Sequence, residues 1–404
     1  MISTDFAPNE TKQDALLALK ILTQPWRWGK GRANARLKRK LKRLFFGSRA
    51  SLFLFLSGRS ALYYYLKSLN LPNEAEILIQ GFTCEAVVLP IIALKYKPIY
   101  VDINEEDFSM NLADLKKKTT EKSAVLVLQH TFGITPTHRK EILSFAKERN
   151  IIVIEDVAHG FNPSLFKKRT SSTLLLSFGR SKVFSGVFGG VIVTHKAQET
   201  KVLKSIETTV PAPYPTFCIK IILYKIFAHV IKSTYDIGFG KVLHRISQQL
   251  SLLIPEITKG EKRGQYNYGL SKSMPNCSAL FILEQLKRSQ DLMKRKIHIM
   301  AQYQTELPHT YLRTDALIRY PFVTEKRDRI IYQAKKNNVY LGSWYDQVVG
   351  PKSLELKKVH YIHGTCPVAE MMATKTLNLP TNISKEEARK VIDLVLGELE
   401  TTNV

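Results

Sequence analysis

From residue 53 onward, short apolar segments alternate with helix-like segments, and this alternation constrains the fold more than any other feature. The apolar segments include "AEILIQGF", "KPIYVDI", "SAVLVLQHTFG" and "IIVIEDVAHG". Strands that alternate with helices form parallel sheets with helices on both faces. Strands as apolar as "IIVIED" are typical of a sheet that is covered on both sides. The sequence therefore predicts an α/β fold with a large domain built on a mostly parallel sheet.

Changes of composition along the 404 residues divide the chain into three predicted regions. Residues 1–50 form a basic N-terminal arm, residues 51–260 form the large α/β domain, and residues 261–404 form a smaller C-terminal α+β domain. Runs of this size agree with one large and one small domain.

Within the large domain, residues 210–258 form an insertion that is first Pro-rich and then apolar and basic. Charges interrupt it too often for a transmembrane helix. Lys225, His229 and Lys232 are predicted to share one polar helix face opposite an apolar one. We expect either a helix pair packed on the large domain or an element at a membrane interface.

Lysine and arginine outnumber aspartate and glutamate by 60 to 35, which gives a net charge of +25. No acidic residue occurs in residues 15–73, where Leu37, Leu41, Leu44 and Phe45 share one face of a basic helix. Such a helix either docks its apolar stripe on the body of the protein or lies on an anionic membrane. Nucleic acid is not an expected partner, because no aromatic stacking pattern or binding module accompanies the charge.

The cysteines and the N-terminus indicate the cellular compartment of the protein. The four cysteines are widely spaced and form no Cys-x-x-Cys pair, which is typical of a reducing compartment and gives no metal-site signature. The N-terminus has no apolar segment followed by a cleavage site. We therefore expect a cytoplasmic protein, with contact at the inner membrane surface as a further option for its basic segments.

Three motifs lie at predicted strand ends, where open α/β sheets bind their ligands. "SGRSAL", residues 57–62, is a small-residue turn that opens a helix and offers backbone N–H groups to an anion. Asp156 follows a buried strand, and Lys182 comes 26 residues later in "SFGRSKVFSGVFGG", between two apolar segments. Taken singly, the three are equally typical of a helix cap, a solvated acid and a loop lysine.

Together the three motifs supply the groups that pyridoxal 5′-phosphate (PLP) needs. Its phosphate needs the anion-binding turn, its pyridine nitrogen needs a carboxylate, and its aldehyde needs a lysine. A lysine that forms an imine must lose its proton, and both burial and a nearby cation such as Arg180 lower its pKa. The combination predicts a PLP site.

These motifs resemble those of the DegT–StrS group of fold-type I PLP-dependent enzymes, which are mostly sugar aminotransferases. "SGRSAL" is similar to the SGTxAL turn of that family, "VIEDVAHG" to its VIEDAAQ/H segment, and "SFGRSKVFSGVFGG" to SFxxxKxxxxGxGG. "YKPIYVDI", "LEQLKR" and "CPVAE" through "LNLP" also resemble family segments. The resemblance covers about residues 53–395 and implies the PLP-dependent transferase fold of type I.

The resemblance implies a role for each matching residue. Lys182 would be the Schiff-base lysine and proton shuttle, Asp156 would pair with the pyridine nitrogen, and His159 would contact the ring oxygen of the cofactor. The other implied cofactor-binding residues are Gly58, Arg59, Ser60, Cys84, Ser177 and Asn267. Asn267 would reach the phosphate from the partner subunit of a homodimer, with Asn276 as the other candidate.

Three positions depart from the family pattern, and one of them is Asn382, which replaces the histidine of the family's LPxHP segment. Cys84 stands where an aromatic residue usually stacks on the cofactor ring, and Phe82 could replace that residue only if the local register differed. Arg59 replaces a small residue in the phosphate turn, where its guanidinium could bind the phosphate or an anionic substrate.

The resemblance implies an aminotransferase that carries an amino group from an amino acid, with glutamate as the expected donor, to a keto-sugar. The sugar would be nucleotide-linked, and the pathway cell-surface polysaccharide biosynthesis. Lys182 favours transamination over the family's dehydratases, which have histidine at that position. Two alternatives are a PLP-dependent dehydration or replacement reaction and a non-catalytic, membrane-associated PLP-binding protein.

Overall fold

The protein is described by a computed structural model that covers residues 1–160, 162–167, 170–249, 253–308 and 315–400. Thirteen β-strands occur within these ranges. They are β1 (Ile2–Ser3), β2 (Ser51–Phe55), β3 (Glu76–Gln80), β4 (Thr83–Cys84), β5 (Lys97–Val101), β6 (Ser123–Gln129), β7 (Ile152–Asp156), β8 (Thr173–Ser177), β9 (Gly190–Thr194), β10 (Arg319–Val323), β11 (Val339–Tyr340), β12 (Val349–Gly350) and β13 (Thr376–Pro380).

Fourteen α-helices occur in the same described ranges. They are α1 (Lys12–Leu22), α2 (Ala33–Leu41), α3 (Gly58–Ser68), α4 (Glu85–Ala93), α5 (Leu112–Lys118), α6 (Arg139–Glu148), α7 (Ala197–Thr209), α8 (Pro215–Ser233), α9 (Phe239–Gln249), α10 (Asn276–Gln285), α11 (Ser289–Glu306), α12 (Arg327–Lys336), α13 (Pro367–Lys375) and α14 (Lys385–Glu400).

A seven-stranded sheet forms the centre of the molecule, in the order β2-β9-β8-β7-β6-β3-β5. Five neighbouring strands pair in parallel, namely β8, β7, β6, β3 and β5. Strand β9 is antiparallel to both β2 and β8. The chain from β8 to β9, residues 178–189, contains no crossover helix, and a parallel pair would need one. The predicted mostly parallel sheet is confirmed.

The C-terminal residues build a smaller layer. There β10 pairs antiparallel with β13, and α14 packs against α11 and α12. The short strand β12 pairs with β4, which joins this layer to the large domain beside the carboxyl ends of the central strands. The architecture is that of the predicted transferase fold, while the boundaries at residues 50 and 260 stay predictions.

The first 50 residues are integrated into the body of the protein. Strand β1 pairs with β11, helix α1 packs on α8, and helix α2 packs on α10. Leu37 and Leu41 are fully buried, and Leu44 and Phe45 are partly buried against the core. The apolar stripe of the basic segment therefore docks on the protein, which is the first of the two arrangements that its sequence allowed.

The insertion forms helices α8 and α9, which pack on each other, so it is a helix pair on the large domain. Lys225, which the sequence placed on the polar face of this segment, does not reach the solvent. Its side chain is fully buried, and its Nζ lies 2.7 Å from a carboxylate oxygen of Glu10. The burial is tolerated because Glu10, from the N-terminal segment, supplies the opposite charge.

Candidate active site

A cavity of about 330 Å³ lies at the carboxyl ends of β7 and β8. Side chains from the N-terminal segment, the central sheet and the C-terminal layer contribute to its wall. The predicted site residues in the wall are Gly58, Arg59, Cys84, Asp156, His159, Ser177 and Lys182. The fold thus brings together predicted site residues that lie up to 124 positions apart in the sequence, from Gly58 to Lys182.

The turn before α3 forms one side of this cavity. Ser57 has an extended backbone and caps the helix, because the Ser60 N–H donates to its Oγ at 3.2 Å. The first N–H groups of an α-helix have no acceptor within the helix and favour an anion there. Side chains are excluded behind the turn, since a Cβ on Gly190 would lie 2.1 Å from the Ser57 carbonyl oxygen.

The side chain of Ser60 does not take part in the cavity wall, and the binding of the phosphate by the backbone around Arg59 and Ser60 stays a prediction. Its hydroxyl is buried and donates to the carbonyl oxygen of Leu270 at 2.6 Å. That bond ties α3 to the segment that precedes α10. Its backbone N–H is likewise used by the Ser57 cap.

Arg59 is held by two buried carboxylates, so its guanidinium is not the free anion ligand that the sequence suggested. It contacts Glu85 at 3.1 Å, forms a closer ion pair with Glu261, and donates to the carbonyl oxygen of Glu256. The arginine therefore joins the phosphate turn to α4 and to the end of the insertion. Burial raises the pKa of Glu85, and the neighbouring Arg59 acts against that rise.

Lys182 lies in the loop between β8 and β9 and extends into the cavity. The Asn9 side-chain amide donates to its carbonyl oxygen at 2.7 Å, and Nζ lies 4.8 Å from the Trp344 ring centroid. Among the described residues the Nζ atom has no hydrogen-bond or ion-pair partner. Burial lowers the pKa of Lys182, the charge of Arg319 lowers it further, and Asp156 acts against both. A buried amine with a lowered pKa is suited to react as a nucleophile.

Asp156 is the last residue of β7, and its carboxylate lies on the cavity wall. One oxygen accepts from the Ala158 N–H at 3.0 Å. Burial raises the pKa of Asp156, while the Ala158 N–H and the charge of Lys182 act in the opposite direction. A cationic nitrogen placed beside this carboxylate would stabilise its ionised form.

His159 is fixed in one tautomer by its neighbours. The Phe132 N–H donates to Nδ1 at 3.1 Å, so the ring proton lies on Nε2, 3.1 Å from the hydroxyl of Tyr345. Burial lowers the pKa of His159 well below its usual value, and Lys182 and Arg319 add to that effect. The residue is therefore a neutral donor at its Nε2 atom.

Sequence reasoning missed the residues that close the cavity opposite the sheet. Trp344 lies over Lys182 and packs on His159 with ring centroids 5.2 Å apart. The Arg319 guanidinium stacks on the same indole, 3.4 Å from its centroid, and pairs with Asp5 at 2.6 Å. The adjacent aromatic residues of "GSWYDQ" were the available signal, since a pair of large aromatic side chains is unusual in a polar loop.

Cys84 ends β4 and lines the cavity where the family usually has an aromatic residue. Burial raises the pKa of its thiol to about 12, and Glu85 contributes to this rise. Phe82 does not replace the aromatic residue, because it is fully buried among Phe108, Phe132 and Tyr345 and does not line the cavity.

The two asparagine candidates are outside the cavity of their own chain. Asn267 caps its own turn by accepting from the Gly269 N–H at 3.0 Å. Asn276 is buried, accepts from the Ala33 N–H and donates to the carbonyl oxygen of Arg27. Asn276 therefore anchors the N-terminal segment, and Asn267 stays the prediction for a contact to a partner subunit.

These residues fit PLP. The turn at Gly58 has no room for side chains behind it, Asp156 is a buried carboxylate, and Lys182 is a buried amine without an anionic partner among the described residues. Fold and site together define a PLP-dependent transferase of fold type I. The chain belongs to the DegT/DnrJ/EryC1/StrS aminotransferase family, whose sequence model matches residues 8–210 and 245–396. The match includes most of the N-terminal segment, which the motifs had left out, and leaves residues 211–244 unmatched.

Curated relatives agree with this family. GDP-perosamine synthase of Escherichia coli O157:H7 is 31% identical over 34% of this chain and 39% of its own length. An uncharacterised protein of Methanocaldococcus jannaschii is 28% identical over 41% of this chain and 44% of its own length, so the chain spans less than half of either relative. The dTDP-4-amino-4,6-dideoxy-D-glucose transaminase of Escherichia coli is 22% identical over 94% of both chains.

Solved structures share the fold at low sequence identity. Helicobacter pylori PseC, an aminotransferase involved in the biosynthesis of pseudoaminic acid, superposes with a TM-score of 0.74. The alignment covers 98% of this chain and 100% of PseC at 15% identity. The overall architecture is therefore that of the family throughout the chain.

Proposed function

We propose that the chain is a PLP-dependent aminotransferase that carries an amino group from an amino acid to a nucleotide-linked keto-sugar. The observation that supports this most directly is Lys182, a buried amine with a lowered pKa in one cavity with Asp156 and the phosphate turn. Glutamate is the donor that the family resemblance implies. Relatives named for GDP- and dTDP-linked sugars support the acceptor class.

Each residue of the cavity then has a task. The N-terminal turn of α3 and the Ser177 hydroxyl would bind the phosphate, Asp156 would hold the pyridine nitrogen, and His159 would contact the ring oxygen. Bound PLP supplies an aldehyde that accepts an amino group and a ring that delocalises the electrons of the adjacent C–H bond.

Lys182 moves the proton. Its Nζ would remove the proton from the carbon that bears the donor's amino group and return it to the former aldehyde carbon of PLP, as a general base and then a general acid. The lowered pKa makes the neutral amine available for the first step. Trp344 excludes water from the space beside Nζ, which protects this transfer.

Substitution of the lysine tests the proposal. Lys182→Ala is expected to abolish the visible absorption of the PLP-loaded protein and to lower turnover by several orders of magnitude, because no other amine occupies the position. Lys196→Ala is the matched control, since Lys196 pairs with Glu199 near the end of β9, away from the cavity. A Lys182→Ala protein that kept both the absorption and the turnover would refute the assignment.

A half-reaction distinguishes transamination from the alternatives. Without acceptor, glutamate is expected to yield 2-oxoglutarate in an amount equal to the number of PLP-loaded subunits, because the amino group stays with the enzyme. A dehydratase or a replacement enzyme would release no such stoichiometric product. Neither would a non-catalytic PLP-binding protein.

We also propose that the protein is a cytoplasmic homodimer in which Asn267 contributes to the partner's phosphate site. Tyr268 is exposed and packs edge-on against Tyr63 of α3, 6.0 Å between ring centroids, close to the phosphate turn. Exposed tyrosines beside a binding site are typical of subunit interfaces. Helix α9 is proposed to contact the inner membrane surface.

A further inference from the structure

Helix α9 presents large apolar side chains to solvent. Phe239, Val242 and Ile246 are 57%, 58% and 43% exposed, and Ile237, just before the helix, is 81% exposed. The three helical residues are spaced i, i+3 and i+7, so they lie on one face. Contiguous exposed apolar residues of this size mark an interaction surface more often than an ordinary surface.

The opposite face of α9 is built from small residues. Gly240 and Ser247 are buried against the body, and a Cβ on Gly240 would lie 2.3 Å from the carbonyl oxygen of Ile231 in α8. Most amphipathic helices of globular proteins pack their large apolar side chains inward. In α9 the close approach to α8 requires small residues, and the apolar stripe faces outward.

Cations flank the apolar stripe. Lys241 and Arg245 are exposed one turn apart on the same helix. Residues 233–249 contain one acidic residue, Asp236. Its carboxylate accepts from the Met1 amino group at 2.8 Å. Within the described part of the chain neither cation forms an ion pair, so the outer face of α9 combines apolar side chains with positive charge.

The support beneath α9 is fixed by buried polar contacts, and its sequence lies outside the part of the chain that the family model matches. The family match omits residues 211–244, which contain all of α8 and the first half of α9. Lys225 of α8 is fully buried and bonded to Glu10 and to the carbonyl oxygen of Ser185. The outward stripe therefore lies largely in a segment whose sequence is not matched by the family model.

We propose that the outer face of α9 binds the surface of an anionic phospholipid bilayer. Phe239, Val242 and Ile246 would enter the interfacial region while Lys241 and Arg245 meet the lipid phosphates, which is the pattern of helices that lie in the membrane plane. Among the described residues no helix is long and apolar enough to cross a membrane, so this attachment is peripheral. The proposal does not depend on the aminotransferase reaction.

A second copy of the chain fits this face less well. In a twofold dimer centred on this face, the same surface of both copies is buried, so four cations would be brought into one interface. Like charges at such distances repel, whereas an anionic bilayer attracts them. The basic segment around α2 is not the contact either, because Leu37 and Leu41 are buried in the protein.

Vesicle co-sedimentation of the PLP-loaded full-length protein tests this surface. The probes are phosphatidylcholine vesicles with and without phosphatidylglycerol. The triple variant Phe239→Gln, Val242→Gln, Ile246→Gln removes the stripe with a helix-compatible residue, and Lys241→Gln with Arg245→Gln removes the cations. Leu16→Gln with Leu19→Gln is the matched control, since these leucines are exposed on α1.

The parent protein is expected to bind vesicles that contain phosphatidylglycerol, and the triple variant to bind them at least about tenfold more weakly. The double cation variant should lose the preference for the anionic lipid, and the control should bind like the parent. Turnover of the triple variant with dissolved substrates should stay unchanged, which shows that it is folded. Absence of binding by the parent, or equal binding by the triple variant, would overturn the proposal. A loss of oligomeric mass in the triple variant would also overturn it, in favour of a second copy.

Discussion

Two basic side chains lie over the single indole ring of Trp344, and one of them is Lys182, the proposed Schiff-base lysine. The Arg319 guanidinium is 3.4 Å from the ring centroid and the Lys182 amine is 4.8 Å from it. Arg319 is fully buried, and its charge lowers the pKa of both Lys182 and His159. Asp5 neutralises part of that charge from the N-terminal segment. A cation outside the family motifs therefore adds to the effect of burial on the pKa of the lysine.

Removal of the arginine should change the titration of the cofactor-bound lysine. Arg319→Gln removes a cation that disfavours the protonated lysine nitrogen, so the pH midpoint of the visible absorption change should rise. Asp5→Asn leaves the arginine without its counter-charge, so that midpoint should fall. Absorption spectra recorded across pH for both variants measure the two shifts. Midpoints that move in the same direction would show that the pair does not act through its charge.

At the scale of elements, the loop that carries Lys182 is braced from two directions. The Asn9 side chain donates to the carbonyl oxygen of Lys182, and Asn382 donates to Asn9 Oδ1 at 3.0 Å. From the insertion, Lys225 donates to the carbonyl oxygen of Ser185 at 2.7 Å and pairs with Glu10. The N-terminal segment and α8 thus hold the backbone on both sides of the lysine's loop.

Breaking the buried ion pair of this brace should destabilise the protein. Lys225→Met leaves the Glu10 carboxylate buried without a cation, which costs about 3–5 kcal/mol in the free energy of unfolding. The pKa of Glu10, already raised by burial, then rises further because Lys225 no longer lowers it. A carboxyl whose folded pKa is raised loses stability as the pH rises above its ordinary value, so the cost should be larger at about pH 8 than at about pH 5.

Urea unfolding at both pH values measures this effect. The double variant Glu10→Gln, Lys225→Met is the control, because it removes both charges and should recover most of the lost stability. The visible absorption of the PLP-loaded single variant should also weaken, since the loop of Lys182 loses one support. A double variant as unstable as the single one would show that the buried charge is not the cause.

The sequence predicted the elements of the central sheet because their apolar patterns are local. It also predicted the cavity residues at the ends of β7 and β8, since Asp156 and Ser177 end these strands and Lys182 follows Ser177 by five residues. It could not predict that Arg59 is occupied by Glu85 and Glu261, because ion pairs across 26 and 202 residues depend on tertiary packing. The burial of Lys225 could not be predicted for the same reason, as its partner lies 215 residues away.

For the whole molecule, the position of Asn267 makes subunit complementation a test of the proposed dimer. A Lys182→Ala chain and an Asn267→Ala chain should each be nearly inactive alone. In a mixed dimer one site takes Lys182 from one chain and Asn267 from the other, so that site is intact. A one-to-one mixture that exchanges subunits freely should recover about a quarter of the parent turnover, since half of the dimers carry one good site of two.

Turnover of the refolded mixture, compared with each variant alone, measures this recovery. A mixture of Lys182→Ala with Ser177→Ala is the matched control, because both residues lie in the cavity of one chain and no mixed site is intact. Recovery by the control, or none by the first pair, would contradict the contribution of Asn267 across subunits.

The pairing of β1 with β11 has a consequence for the order of events during synthesis. Ile2 faces Val339 in this pair, and Asn9 follows a few residues later against the Lys182 loop. Ribosomes add about 5–20 residues per second, so the first residues wait on the order of tens of seconds for their strand partner. The central sheet can form while the N-terminal segment is still unattached. The N-terminal residues are therefore the last to take their places beside the Lys182 loop, although they are synthesised before it. This happens only when most of the polypeptide has left the ribosome.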